Sequence, residues 1–173
     1  MTTDADNPSS ADRKSTQRER LIAAMIATAH RYGYAQANVT HVIEHAGVSR
    51  RTFYEYFEDK DDCFLTAHRE LSRLLVEEIR REVAAERPER AIQAAIHTLV
   101  GLSEEFPDRA GFLTNEAMAG GWRGLDERDR LIEQITETVE EALAKASADA
   151  LTPDLPIQVV FGAGRWLLAP ILR

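Results

Sequence analysis

Apolar residues recur at helical spacing along most of the chain, and glycine or proline marks most of the breaks between these stretches. The spacing predicts a series of helices at about 15–32, 39–46, 50–57, 61–86, 88–105 and 125–148, a shorter pair after Pro107, and an apolar helix over 157–173. We therefore predict an all-α protein.

The most informative stretch is 38–60, which predicts two short helices joined by a glycine turn. Four apolar residues fall on one face of the first helix: Val39, Val42, Ile43 and Ala46. Asn38 is a good N-cap for that helix, and Gly47 suits the left-handed conformation that ends it. Ser49 follows at once as the N-cap of the second helix, so the stretch is typical of a helix-turn-helix motif.

The second helix has a buried and an exposed side. Phe53 and Phe57 define the buried side, and at about 100° per residue Arg51 and Glu55 point most directly away from them. The edges of the exposed side carry three more polar residues: Thr52, Tyr54 and Tyr56. A helix in the major groove turns its outer face to base edges and its flanks to phosphates. We therefore expect Arg51 and Thr52 to read bases and the two tyrosine hydroxyls to bind phosphates.

A family resemblance is carried by the turn and the second helix, which read GVSRRTFYEYF from Gly47 to Phe57 and continue to Asp59 and Lys60. This pattern resembles the N-terminal DNA-binding domain of the tetracycline repressor (TetR) family of bacterial one-component regulators, over residue 13 to about residue 71. Position by position, the resemblance implies nine DNA-contacting residues: Asn38, Thr40, Ser49, Arg50, Arg51, Thr52, Tyr54, Tyr56 and Lys60. Lys60 also lies beside the N-terminus of the next helix, which favours an anion.

Two positions depart from the family pattern. Ile43 stands where the family more often has alanine, and Arg51 stands where it often has a small residue. The first difference concerns packing alone. The second lies on the face that is expected to read bases.

The resemblance also implies the organisation of the whole chain. A polar tail at 1–12 is predicted to be disordered, a three-helix helix-turn-helix DNA-binding domain covers 13–60, and a helical ligand-binding and dimerisation domain covers 61–173. The expected protein is a transcriptional regulator whose homodimer binds a palindromic operator in double-stranded DNA. A small-molecule effector is expected to release it, so that it acts as a repressor, with activation as the alternative outcome.

The dimer interface and the ligand pocket are expected in the second domain. The helix at 125–148 and the apolar helix over 157–173 resemble half of a four-helix dimer interface, although the last helix could instead be buried within one monomer. Seven aromatic or soft side chains are candidates to line the pocket: His97, Phe106, Phe112, Met118, Trp122, Phe161 and Trp166. No cofactor is expected.

The distribution of charge agrees with this division. The net charge is −8, yet residues 13–60 carry eight basic and five acidic side chains, while 61–173 carry thirteen basic and twenty-one acidic ones. The basic part coincides with the helix-turn-helix, and the acidic remainder should face away from DNA. A single cysteine, Cys63, and the lack of any long apolar run or basic leader lead us to expect a cytoplasmic protein without a membrane partner.

Three alternative interpretations remain open from the sequence. His41, Glu44 and His45 match the H-x-x-E-H pattern of zinc-dependent hydrolases, in which two histidines hold the metal and the glutamate acts as base. The chain could also be a helical scaffold that binds only protein. Finally, the helix start at Cys63 could lower the pKa of its thiol and create a redox switch. We favour the regulator, with no enzymatic activity and no metal.

Overall fold

The computed structural model describes residues 10–146, with side chains from Thr16 onward, and every regular element in this range is helical. The eight α-helices are α1 (Ser10–Tyr32), α2 (Val39–Ala46), α3 (Arg50–Tyr56), α4 (Lys60–Ala85), α5 (Ala91–Glu105), α6 (Pro107–Gly111), α7 (Ala117–Ala119) and α8 (Gly121–Leu143). A 3₁₀ turn at Pro88–Arg90 precedes α5, and a π-helical turn at Phe112–Glu116 joins α6 to α7. The predicted all-α fold is confirmed, and the predicted helix over 157–173 lies outside the described residues.

Two helices begin earlier than the sequence pattern predicts. Helix α1 begins at Ser10 rather than near residue 15, and α8 begins at Gly121 rather than near residue 125. Gly120 and Gly121 are the N-cap and the first residue of α8. Gly121 takes a left-handed φ of 66°, so the chain changes direction within one residue and the helix starts at once.

The chain divides into two compact units, residues 1–67 and 68–173, and α4 contains the boundary. The first unit holds α1, α2, α3 and the first turns of α4. Its core includes six large apolar side chains that are at most 3% exposed: Leu21, Met25, Val42, Phe53, Phe57 and Phe64. Helices α2 and α3, of eight and seven residues, are too short to be stable alone and depend on these apolar contacts, since each fully buried side chain contributes about 1.5–3 kcal/mol.

The second unit is built around the later part of α4, with α5, the π-helical turn and α8. Its core contains nine buried residues: Val76, Ile79, Val83, Ala91, Ala95, Leu113, Leu131, Ile135 and Val139. Helix α8 approaches α7 so closely that a Cβ atom on Gly124 would lie 2.2 Å from the carbonyl oxygen of Ala117. Only glycine fits at that position without a shift of backbone.

Polar groups in the second unit are paired where they are buried. The Glu127 carboxylate, on a side chain that is 7% exposed, accepts from Arg69 at 2.6 Å and from Arg130 at 2.9 Å. The His68 side chain is fully buried between Ser72 and Leu113, with ring nitrogens 3.3 Å from the Ser72 hydroxyl and 3.3 Å from the Leu113 carbonyl oxygen. Burial lowers the pKa of His68, because desolvation disfavours the charged imidazolium.

Candidate nucleic-acid interface

The turn between α2 and α3 is fixed by local hydrogen bonds. Asn38 Oδ1 accepts from the His41 N–H at 3.1 Å, and Ser49 Oγ accepts from the Thr52 N–H at 3.0 Å, so each helix has a side-chain N-cap. Gly47 ends α2 with φ 61° and ψ 43°. The predicted caps and the left-handed glycine are confirmed, and together they set the path of the chain into α3.

Arg20 adds a second, long-range constraint on this turn. Its Nη2 atom donates to the carbonyl oxygens of Ala46 and Gly47, the latter at 3.2 Å, so it satisfies acceptors that the end of α2 leaves open. A Cβ atom on Gly47 would lie 2.8 Å from that nitrogen. The sequence gives no local signal for this contact, because Arg20 and Ala46 are 26 residues apart.

Helix α3 presents the predicted exposed side. Phe53 and Phe57 are 0% and 3% exposed, with ring centroids 5.6 Å apart. On the opposite side the Arg51 side chain is 90% exposed, and Tyr54 is 51% exposed. Among the described residues, this side of α3 is an exposed polar surface.

Several of the nine candidate DNA-contacting residues are bonded within the first unit. Arg50 donates to the Thr40 hydroxyl at 2.7 Å, which ties the start of α3 to α2. The hydroxyls of Ser49 and Thr52 lie 2.9 Å apart. The four residues therefore form two hydrogen-bonded pairs beside the turn, and each pair limits the freedom of its side chains.

The two tyrosines on the flanks of α3 differ in what their hydroxyls do. The Tyr56 hydroxyl donates to Gln17 Oε1 at 3.3 Å, which uses its only hydrogen. The Tyr54 hydroxyl makes no hydrogen bond to any residue in the described part of the chain, and its hydrogen is free for a phosphate oxygen. Helical periodicity alone does not distinguish the two tyrosines, because the contact with Gln17 on α1 depends on tertiary packing.

Lys60 is also held within the unit. Its ammonium donates to the Tyr34 carbonyl oxygen at 3.0 Å and lies 4.1 Å from the centroid of the Tyr34 ring. The start of α4 is capped by Asp59, whose Oδ1 accepts from the Asp62 N–H at 2.8 Å, and Asp61 accepts from the Tyr34 hydroxyl. Carboxylates therefore share the region where an anion was expected, and Lys60 has only its remaining donors to offer.

The residues of the H-x-x-E-H pattern lie on α2 in a different setting from a metal site. The His41 ring stacks on Tyr32 with centroids 4.5 Å apart, and both Glu44 and His45 are exposed. Within residues 10–146, no group of three or more His, Cys, Asp or Glu side chains is placed to hold a metal ion. The thiol of Cys63 is fully buried, and burial, with the charge of Asp62, raises its pKa rather than lowering it.

The candidate ligand-lining residues fall in different environments. Phe112 is 1% exposed, and its ring centroid lies 6.3 Å from that of His68. Met118 and Trp122 are 53% and 77% exposed. His97 is exposed on α5, Phe106 is half-buried beneath the Arg109 guanidinium, and Phe161 and Trp166 lie outside the described residues.

Sequence reasoning did not single out His68, the buried polar side chain beside Phe112. The available signal was its place next to the apolar positions of α4, which include Phe64, Ala67 and Leu71.

Among the described helices none is long and apolar enough to cross a lipid bilayer.

Comparisons with known proteins agree with this geometry. Residues 21–67 match the sequence profile of the family described as bacterial regulatory proteins, tetR family. No curated protein sequence matches the chain at a significant level.

Three solved structures illustrate the similarity of fold. A TetR-family transcription regulator from Marinobacter aquaeolei VT8 superposes with a TM-score of 0.76 at 17% identity, covering 91% of this chain and 84% of its own. A transcriptional regulator from Rhodococcus sp. RHA1 has a TM-score of 0.70 at 26% identity, with coverages of 88% and 81%. The regulator FadR from Bacillus subtilis, solved in complex with stearoyl-CoA, has a TM-score of 0.71 at 15% identity, with coverages of 89% and 82%.

Proposed function

We propose that the chain, whose residues 21–67 match the profile of the tetR family of bacterial regulatory proteins, is a ligand-responsive transcriptional repressor of that family. Its homodimer binds a palindromic operator in double-stranded DNA, and a small molecule releases it. The observation that carries this proposal is the outer side of α3, where Arg51 is exposed opposite the buried Phe53 and Tyr54 is exposed on the flank. TetR-family regulators are generally non-enzymatic, and no catalytic residue is assigned.

The nine candidate residues take different parts in DNA binding. Arg51 and Thr52 read base edges, and the free Tyr54 hydroxyl binds a phosphate. Ser49, Arg50 and Thr40 support the start of α3 through their hydrogen bonds and contact the DNA backbone beside it. The remaining three, Asn38, Tyr56 and Lys60, act mainly through the contacts that hold α2, α3 and α4 in place.

The effector is expected to bind in the second unit. FadR from Bacillus subtilis carries stearoyl-CoA, and this supports a long-chain acyl-CoA as the first class of effector to test. Its candidate contacts are the seven lining residues, of which Phe112 lies in the core beside His68. The effector favours a form of the dimer whose two α3 helices no longer match successive major grooves, about 34 Å apart. A coupling of about 1–3 kcal/mol would change operator affinity roughly 5- to 150-fold.

Selection from a pool of random duplexes tests DNA recognition. The full-length protein should enrich sequences that contain inverted half-sites, and affinity for them should fall steeply with added salt because phosphate contacts release counterions. If no sequence with inverted half-sites is enriched, the proposed function is wrong. A scaffold that binds only protein would show neither the enrichment nor the salt dependence.

A matched pair of variants tests the role assigned to α3. Tyr54→Phe removes a free donor and should weaken binding to all duplexes by about 3- to 10-fold, whereas Tyr56→Phe removes a donor that Gln17 already uses and should change duplex affinity by about 2-fold or less. Fluorescence anisotropy with a selected duplex measures both. Equal losses for the two variants would contradict this assignment.

Ligand response is measured on the same complex. Stearoyl-CoA should release the protein from the selected duplex, while coenzyme A without an acyl chain should not. If stearoyl-CoA leaves affinity unchanged, the acyl-CoA assignment is wrong although the DNA-binding function stands.

A further inference from the structure

The exposed side of α3 carries an ion pair that the DNA-contact pattern does not include. Arg51 Nε donates to Glu55 Oε1 at 3.2 Å, one helical turn further along the helix. Both side chains remain largely exposed, at 90% for Arg51 and 51% for Glu55. The pair therefore lies on the surface that faces the duplex in the proposed function.

This contact leaves the most selective part of the arginine open. The Nε hydrogen is taken by Glu55, and neither terminal nitrogen of Arg51 has a partner among the described side chains and carbonyls. Those two nitrogens form a planar fork that matches the O6 and N7 acceptors of a guanine in the major groove. An arginine held through Nε keeps both terminal nitrogens available for such a contact.

The pair contributes little to the stability of the fold. Exposed pairs of this kind are worth only a few tenths of a kcal/mol, and arginine before glutamate is the less favourable order on a helix. Its consequence should appear in the complex instead. In the complex with DNA, the phosphates repel the Glu55 carboxylate, so this carboxylate stays away from them. The ion pair therefore keeps Arg51 from turning towards the phosphates.

We propose that Glu55 is a positioning residue for base recognition, which holds Arg51 so that its fork contacts one guanine in each half-site. This inference rests on the proposed function and adds the base identity and the residue that enforces it. Without Glu55, Arg51 moves to the phosphate backbone, and the protein binds DNA with less regard to sequence.

Selection from random duplexes, repeated with variants of the full-length chain, tests the inference. The variants are Arg51→Lys, which keeps the charge but removes the fork, and Glu55→Ala. Glu58→Ala is the matched control, because it removes one exposed acidic side chain three residues further on without touching Arg51. Melting temperatures should be unchanged in all three, since each residue is exposed.

The wild-type protein should show a strong guanine preference at one position of each half-site. Arg51→Lys should lose that preference, with affinity for the wild-type sequence down by about 5- to 100-fold, and Glu55→Ala should weaken the preference at the same position. Glu55→Ala should also bind unselected duplexes about 2- to 5-fold more tightly, because a negative charge has been removed beside the phosphates. Glu58→Ala should keep the guanine preference.

Three results would overturn the inference while the regulator function stands. Glu55→Ala could retain the guanine preference, or it could alter a different base from the one that Arg51→Lys alters, which would make Glu55 a reader in its own right. Glu58→Ala could also lose the guanine preference at the same position, which would indicate that net charge, rather than the orientation of Arg51, determines it. A wild-type selection without inverted half-sites would instead remove the proposed function and this inference together.

Discussion

Substitution of Gly47 by alanine is expected to destabilise the helix-turn-helix in two separable ways. The first is conformational, because the position has φ 61° and an L-residue with a Cβ atom pays roughly 1–2 kcal/mol there. The second is a displaced hydrogen bond, because the added Cβ would lie 2.8 Å from Arg20 Nη2. Arg20 can move aside, but it then leaves the two carbonyl oxygens at the end of α2, at a further cost of about 1 kcal/mol.

Gly33 provides the matched control for the first effect. It has φ 73° in the same unit, and a Cβ atom there would meet nothing within 4 Å. Gly33→Ala should therefore show only the conformational cost. Gly47→Ala should exceed it by about 1 kcal/mol, and Arg20→Met alone should cost about that same difference.

The double variant Gly47→Ala with Arg20→Met tests whether the two effects are linked. Since alanine at position 47 already displaces Arg20, the combined loss should be smaller than the sum of the single losses by about 1 kcal/mol. Hydrogen–deuterium exchange of amides in α2 and α3 is the appropriate measurement, because the two units need not unfold together and exchange reports opening of this region alone. Strict additivity, or equal losses for Gly33→Ala and Gly47→Ala, would refute the reasoning.

Three outcomes are expected for residues outside the turn. Burial lowers the pKa of His68, so the unfolded chain binds a proton there more readily than the folded chain does. The free energy of unfolding, measured by urea denaturation, should therefore fall as the pH drops below about 6.5, and it should fall less steeply in His68→Gln. Equal slopes of this free energy against pH between about pH 7 and 5 would contradict the prediction. Gly124→Ala should lower the free energy of unfolding by about 1–3 kcal/mol, because the added Cβ would lie 2.2 Å from the Ala117 backbone. Gly101→Ala, where a Cβ would meet nothing within 4 Å, should instead stabilise α5 by about 0.5–1 kcal/mol. The urea midpoint should shift in opposite directions for the two variants. The buried thiol of Cys63, whose pKa is raised, should react with a thiol reagent at least about 100-fold more slowly in the native protein than in urea, and fast native labelling would show that the first unit opens there.

The sequence predicts the helix-turn-helix well because its signals are local. Asn38, Gly47 and Ser49 each act on backbone groups within a few residues, and the two phenylalanines of α3 reveal its buried side by their spacing. The start of α1 is predicted near residue 15, although the helix begins at Ser10, because the sequence has no local signal there. Its first residues, Ser10 to Lys14, are almost all polar, so no apolar stripe marks the helix there.

Contacts between distant positions could not be predicted in the same way. The bonds from Arg20 to the end of α2 and from Tyr56 to Gln17 join residues 26 to 39 positions apart. Lys60 was expected to meet an anion because it begins a helix, yet the fold turns its ammonium to the Tyr34 carbonyl. Helical periodicity predicts the direction of a side chain, but it does not identify the residue that the side chain contacts in the folded protein.

The π-helical turn at Phe112–Glu116 has a consequence for how the length of this segment can vary. In a regular α-helix, loss of one residue rotates everything that follows by about 100° and takes buried side chains out of the core. A π-helical turn carries one residue more than an α-helical turn. Removal of the exposed Asn115 would therefore restore the ordinary hydrogen-bonding pattern, while Phe112 and Ala117 keep their inward positions. Related chains that are one residue shorter at this place should fold without compensating changes elsewhere.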